Sequence, residues 1–290
     1  MGEALLNKEQ IAQYHSDGFL SVESVIDKDL VTELQKVTDG FVERSRAVKT
    51  HTKVFDLEPG HTQNKPRLRR LNVPVEQHAV YGRAMRDSNV LDIVAQLIGP
   101  NIRTNGNKLN MKSPGYGSAV EWHQDWAFYP HSNDDLLAVG VAMDDITEAN
   151  GCMIMIPGSH KEKIYDHHQD GRFVGAVTEK VETSSEAVPV EVGAGGITIH
   201  HVRTLHASAP NHSNKPRRLL LFQYCAVDAW PLIKLPEWTA FNADILRGVP
   251  TNHPRLEPVS VKIPLPPAER DGSIYESQTL LKKKLLGGPQ

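Results

Sequence analysis

Trp122-His123-Gln124-Asp125-Trp126 is the stretch on which the fold turns. In an extended chain residues i and i+2 project to one side, so His123 and Asp125 present an imidazole nitrogen and a carboxylate oxygen to one point while Gln124 faces away. Two histidines and one carboxylate on one face of an octahedron are the ligand set of non-heme iron(II) oxygenases, so this pattern asks for a second histidine further along. His206 is the best candidate. It lies in the β-branched run from Ile197 to Ser208, after the turn Gly193-Ala194-Gly195-Gly196, as expected of a strand re-entering a barrel. In a regular strand an odd spacing changes face, which turns His201 away from His206 and leaves His200 and His201 as supports behind the ligand.

The surrounding chain fits a barrel. After residue 100 the expected strands are Ile102 to Lys112, the one carrying His123 and Asp125, Leu136 to Met143, Cys152 to Ile156, the His206 run, and Arg217 to Val227, separated by turns such as Asn150-Gly151. That order argues for a mainly β protein with flanking helices and a double-stranded β-helix core, the jelly roll or cupin-like barrel. Helices are expected before it. Asn7 is placed to cap one ending at Ser16, Asp27 another within Ile26 to Ala47, and Val75 to Leu97 is expected as a long helix stopped by Gly99-Pro100. Lys49 to Lys65 has the composition of a loop near the site mouth, and Arg67-Leu68-Arg69-Arg70-Leu71 that of an edge strand. Arginines so crowded form a solvated face as a rule, with Arg69 the candidate to meet an anionic substrate.

Lys161 to Glu186 is polar and is expected as a rim loop, with His167 and His168 solvated. After Ala229 the chain turns Pro-rich, with helices expected at Trp238 to Arg247 and Ser277 to Leu286; this extension either wraps the barrel or forms a homodimer contact. We therefore expect one domain over 1–290, with a helical part to about 100, a barrel over about 101–228 and an extension over 229–290.

Composition narrows the function class. Hydrophobic residues at 39% and charged residues at 23% exclude disorder, and a net charge of −3 without long runs of either sign offers no nucleic-acid groove. A small-molecule substrate is expected. No apolar run reaches membrane-spanning length, the N-terminal Met1-Gly2-Glu3-Ala4-Leu5-Leu6 lacks a targeting pattern, and Gly288-Pro289-Gln290 is no peroxisomal signal, so the expectation is a cytoplasmic protein with no membrane partner. The only two cysteines, Cys152 and Cys225, sit in apolar runs as unlinked core thiols.

His123-Gln124-Asp125-Trp126-Ala127-Phe128-Tyr129-Pro130, followed by Asn150-Gly151-Cys152, Ile156-Pro157-Gly158-Ser159-His160-Lys161, His206 and Pro216-Arg217-Arg218, resembles the phytanoyl-CoA dioxygenase family. The likeness runs from Asp17-Gly18-Phe19-Leu20 to about Val227. It implies an iron(II)- and O2-dependent enzyme that uses 2-oxoglutarate as co-substrate and oxidises, most simply hydroxylates, a small metabolite with release of succinate and CO2. It implies His123, Asp125 and His206 as catalytic metal ligands. Spacing alone leaves Arg217-Arg218 open as a surface pair, but the resemblance puts Arg217, eleven residues after His206, on the distal carboxylate of 2-oxoglutarate with Ser208 beside it. Lys108 aligns near a co-substrate contact, and Gly140 falls where some relatives carry tryptophan, a departure expected to enlarge the site. Trp126, Phe128 and Tyr129, with Trp122, are candidates to shape the substrate pocket, as is Arg203. Halogenating relatives lack the carboxylate, so Asp125 points to hydroxylation, desaturation or ring formation.

Two rival functions use the same barrel: a cupin-like metal enzyme such as an isomerase that does not use 2-oxoglutarate, and a non-catalytic binding protein. The first needs no anchor like Arg217, and the second has no need of a complete ligand set.

Overall fold

The computed structural model describes residues 5–183, 185–234, 236–268 and 272–286, so the terminal stretches 1–4 and 287–290, on which the targeting expectation in part rests, lie outside the described residues. Asn7 caps the helix Lys8–Asp17 reciprocally, its side chain accepting from Gln10 N at 2.8 Å while its own N–H donates to the Gln10 side chain at 2.9 Å. Gly18 closes that helix at φ 85°, where a Cβ would lie 2.4 Å from His160 Nδ1 and 2.6 Å from Thr204 Oγ1. Both the left-handed backbone and the crowding demand glycine. Gly18→Ala is therefore expected to lower stability by about 1 to 3 kcal/mol. A urea midpoint that does not move would refute this.

Asp27 caps Lys28–Ser45, its carboxylate accepting from Asp29 N at 2.8 Å. The single helix expected over Val75 to Leu97 is three, Pro74–Gln77, Ala79–Met85 and Ser88–Ile98. Local side-chain bonds break it: His78 is extended and its Nδ1 accepts from Val80 N, and Asp87 caps the last piece through Asn89 N. These helices cover the outer face of the larger sheet, where Leu34, Phe41, Tyr81, Val94, Leu109, Leu220 and Phe222 form the main apolar core.

The larger sheet has eight antiparallel strands. Its order is Phe19–Val22, Ile197–His201, Leu136–Ala142, Arg217–Ala226, Ile102–Lys112, Leu68–Asn72 and Phe55–Leu57, with Ile245–Arg247 also pairing Ile102–Lys112. The smaller sheet runs Val188–Val190, Met153–Met155, His206–Ser208, Val120–His123. The two sheets share a cavity lined from both, the jelly-roll arrangement expected.

Four expectations are corrected. The run from Ile197 to Ser208 is not one strand but two in different sheets, joined by a turn in which Thr204 N donates to His201 O at 2.9 Å and Thr204 Oγ1 to Gly18 O at 2.9 Å. Leu68–Asn72 is flanked on both sides, the edge being Phe55–Leu57 within the expected loop, and Arg69 and Arg70 are buried rather than solvated. The helix at Trp238 ends at Ala243 and gives way to the strand Ile245–Arg247. In place of the last expected helix the chain forms short turns at Ile274–Ser277 and Gln278–Leu280.

Cys152 and Cys225 are buried and free. Among the described residues no helix is long and apolar enough to cross a membrane.

Candidate metal centre

His206 pairs across the smaller sheet with His123, which sets the two imidazoles side by side with ring centroids 4.0 Å apart. The strand carrying His123 ends there. Asp125 starts a one-turn 3-10 helix, Asp125–Ala127, rather than continuing the strand, but Gln124 keeps extended angles (φ −119°, ψ 127°), so the i, i+2 projection survives. Gln124 faces the other way and ties down the loops, its amide nitrogen donating to Arg203 O at 2.9 Å and its side-chain oxygen accepting from Tyr165 N at 2.9 Å.

Ligand atoms of His123, Asp125 and His206 all lie within 4.8 Å of one another, and all three residues are buried. The Nδ1 atoms of His123 and His206 lie 2.8 Å from Glu121 O and 2.9 Å from Thr204 O. A carbonyl only accepts, so each Nδ1 carries the proton and each Nε2 lone pair faces the cavity. Burial holds His123 down at about 4 and His206 well below the ordinary histidine range, so both are neutral donors. Burial alone would raise Asp125, but Lys108, His200 and His206 together hold it well below the usual carboxylate range. Two neutral imidazoles and one carboxylate in a buried pocket suit ferrous iron.

His200 stands 3.5 Å from the second oxygen of Asp125 with both ring nitrogens otherwise unpartnered. His201 turns away, as expected, alternating with His200 at the end of Ile197–His201 to the face of Ile197 and Ile199, although that strand stops short of His206; it packs on Tyr14 and His160.

Arg217 and Ser208 line the far end of the cavity, and Lys112 reaches it through Ser208. Arg217 pairs with Lys112, and both are buried. Arg217 donates through Nε and Nη2 to Gly151 O at 3.2 and 3.0 Å, leaving Nη1 buried without a partner. Lys112 Nζ donates to Ser208 Oγ at 2.9 Å, which leaves the hydroxyl proton of Ser208 free for another acceptor. Burial lowers Arg217, and burial with Arg217 nearby pushes Lys112 well down. This end fits a carboxylate.

Lys112 is absent from the sequence expectations, although its signal is visible: Lys108, Asn110 and Lys112 alternate with the core residues Leu109 and Met111 and so share the inner face. Lys108 does line the cavity, at the mouth rather than beside Arg217, in company with Arg70. Phe128 and Tyr129 line the outer chamber. Trp126 is instead core, its indole N–H donating to Ser260 O at 2.9 Å. Arg69 binds Asp56 and Glu276, each at 2.6 Å, and Arg203 binds Asp134 at 2.9 Å, so neither lines the described cavities. Gly140 does not enlarge the site. A Cβ there would lie 2.7 Å from Thr198 Oγ1 and 2.8 Å from Leu219 Cδ1, so those side chains already fill the space.

His167 corrects another expectation. It is buried, not solvated, accepting from Gln124 N at Nε2 (2.9 Å) with Nδ1 bonded to Tyr165 O (2.9 Å). Burial holds both His167 and His131 down at about 4. Since the unfolded value is near 6.5, the unfolded chain takes up these protons first as pH falls, and the stability from the neutral rings, present above about pH 6.5, is lost toward pH 4. The expected loss is about 1.4 kcal/mol per pH unit for each ring across that window. Urea melts of metal-free protein should show it, and a His167→Gln protein should show a shallower slope; equal slopes would refute the assignment.

Comparison with known proteins agrees with this geometry. The Phytanoyl-CoA dioxygenase (PhyH) family profile matches residues 14–219. A Stutzerimonas stutzeri protein named "Probable alpha-ketoglutarate-dependent hypophosphite dioxygenase" is 34% identical over 282 residues, covering 95% of this chain and 98% of its own. An ectoine dioxygenase of Bordetella parapertussis is 25% identical over 249 residues, covering 77% and 76%. The crystal structure of EctD from S. alaskensis superposes with a TM-score of 0.65 at 22% identity over 91% of each chain, which supports the fold. With the family matched over most of its length and a relative aligned end to end, the chain belongs to the phytanoyl-CoA dioxygenase family of iron(II)- and 2-oxoglutarate-dependent dioxygenases.

Proposed function

We propose that His123, Asp125 and His206 hold the ferrous ion of this dioxygenase, and that Arg217 and Ser208, the latter held by Lys112, receive the distal carboxylate of 2-oxoglutarate. The single observation that carries the second half is the buried, unpartnered Nη1 of Arg217 at the closed end of the cavity that holds the three ligands. A metal enzyme that does not use 2-oxoglutarate has no need of a buried cation there. Iron supplies the oxidising chemistry when bound; one oxygen atom of O2 enters succinate and the other the substrate, with CO2 leaving.

The chain's own residues do the positioning. Glu121 O and Thr204 O fix the two imidazoles, the apolar walls Leu219, Leu221 and Met153 exclude water, and Ile274 and Tyr275 of the extension roof the cavity. Because the extension returns to its own barrel, also through Trp126 and Ser260, we propose that 1–290 works as one catalytic domain and that the extension serves this site before any dimer contact. A cytoplasmic setting, where free buried cysteines and ferrous iron persist, suits this chemistry.

The relatives' names make hypophosphite the first compound to test, with ectoine next. The test is succinate release from 2-oxoglutarate dependent on iron and oxygen, screened for compounds that accelerate it. Iron-independent turnover, or none with any small molecule, would overturn the proposal.

A further inference from the structure

We propose that the substrate of this site is a small oxyanion, held over the metal position by Arg70 and Lys108. The proposal rests on the dioxygenase reading above and adds to it the charge of the substrate and the residues that select it. Both side chains line the inner cavity with the three metal-binding candidates and also the outer chamber with Phe128 and Tyr129, so they mark the throat through which a substrate meets the metal. They reach it from neighbouring strands. Arg70 pairs with Asn110, and Lys108 lies two residues before Asn110 on the same inward face.

Neither cation forms an ion pair at contact distance with a carboxylate of the described residues, Asp125 acting on Lys108 only from further off. Arg70 donates through Nε to Asn110 Oδ1 at 3.0 Å, which leaves Nη2 buried and unbonded, and the ammonium of Lys108 makes no hydrogen bond to the described residues. The nearby carboxylates are otherwise engaged. Asp56 and Glu276 bind Arg69, Glu58 accepts from Ser118 N and Oγ, and Asp125 is the metal-binding candidate. Burial is the chief influence on both Arg70 and Lys108 and lowers both, with Asp125 acting on each in the opposite direction.

Co-substrate does not answer them either. On the dioxygenase reading the distal carboxylate of 2-oxoglutarate meets Arg217 and Ser208 at the other end, and its remaining carboxylate with Asp125 is balanced by the ferrous ion. Two cations at the throat are then left for the molecule that enters last. Their geometry, a planar guanidinium fork beside a point-charge ammonium, suits a group with two or more oxygens on one centre, as in a carboxylate or a phosphorus oxyanion. A purely structural role would account for Arg70, which lies under the Tyr275 ring at 5.4 Å, but not for Lys108.

The experiment uses the full chain loaded anaerobically with ferrous iron and 2-oxoglutarate. Phosphite, acetate and glycerol are titrated separately, following the metal-to-2-oxoglutarate charge-transfer band and, in parallel, the heat of binding. The parent should bind phosphite or acetate and not glycerol, and whichever anion binds tells which oxyanion class the throat takes. Lys108→Met, which breaks no hydrogen bond, and Arg70→Gln should each weaken that binding by roughly tenfold or more while 2-oxoglutarate affinity stays within about twofold. Anion affinity unchanged in both variants, a loss of 2-oxoglutarate affinity in its place, or binding of glycerol alone would each overturn the proposal. Failure of the dioxygenase reading is distinguishable, because the parent would then form no charge-transfer band before any anion is added, and the proposal would fall with it.

Discussion

His206→Ala is expected to bind ferrous iron more than about a hundredfold more weakly than the parent and to lose turnover with it. The scale comes from a comparison: removing a group that merely orients a metal-bound histidine costs about ten- to a hundredfold in metal affinity or activity, and His206 is assigned as the ligand itself. Its Nε2 faces His123 and Asp125, and nothing else in the cavity offers an imidazole at that place except His200, whose ring centroid is 4.4 Å from that of His206. His200 sits against the second oxygen of Asp125, so rescue would require it to abandon that position. The fold should survive. The substitution strands Thr204 O, which loses one hydrogen bond at about 1 to 3 kcal/mol, against a usual total of about 5 to 15 kcal/mol. His123→Ala and Asp125→Ala should behave alike. Iron content after desalting and succinate formation check this, and a folded Asp125→Ala protein with parental iron affinity and turnover would remove the ligand assignment.

The part of this site legible in the sequence is the part set by local geometry. His123 and Asp125 follow from the two-residue repeat of an extended chain, and the caps Asn7 and Asp27 from side chains that satisfy helix N–H groups within three residues. What failed depends on which sheet a segment joins. From Ile197 to Ser208 the residues favour strand throughout, yet the chain crosses from the larger sheet to the smaller at the Thr204 turn, held by Gly18 nearly 190 residues away in sequence. The crossing is what places His206 opposite His123. The arginines of Leu68–Asn72 failed for the same reason: that strand is covered by Phe55–Leu57, which no periodicity announces, so Arg69 is drawn to Asp56 and Glu276 while Arg70 lines the cavity. Lys112 was within reach, since its alternation with Leu109 and Met111 is plain once those two are known to face the helices.

Arg217→Ala is expected to lower 2-oxoglutarate affinity by roughly ten- to a hundredfold, because a hydrogen bond to a charged group contributes about 1.5 to 3 kcal/mol net and about 1.4 kcal/mol is a factor of ten. The structure makes the upper part of that range the better expectation. Arg217 is already oriented by two bonds to Gly151 O, so its remaining nitrogen meets the carboxylate with little side-chain ordering left to do. Arg217→Lys keeps charge but not the fork, and a shorter reach to Gly151 as well, so it should recover only part of the loss. Lys112→Met should also weaken 2-oxoglutarate, by freeing Ser208 from the ammonium that holds it. Arg218 is the internal control. It lies on the opposite face of the strand, bound to Asp144 at 2.6 Å and Asp39 at 2.7 Å, so Arg218→Ala should lower stability while leaving 2-oxoglutarate affinity within about twofold of the parent. Anaerobic titration of the charge-transfer band reads all four variants on one scale. Parental affinity in Arg217→Ala together with a loss in Arg218→Ala would contradict the observed register, whereas parental affinity in every variant would place the distal carboxylate elsewhere in the cavity and leave Arg70 and Lys108 as the cations able to receive it.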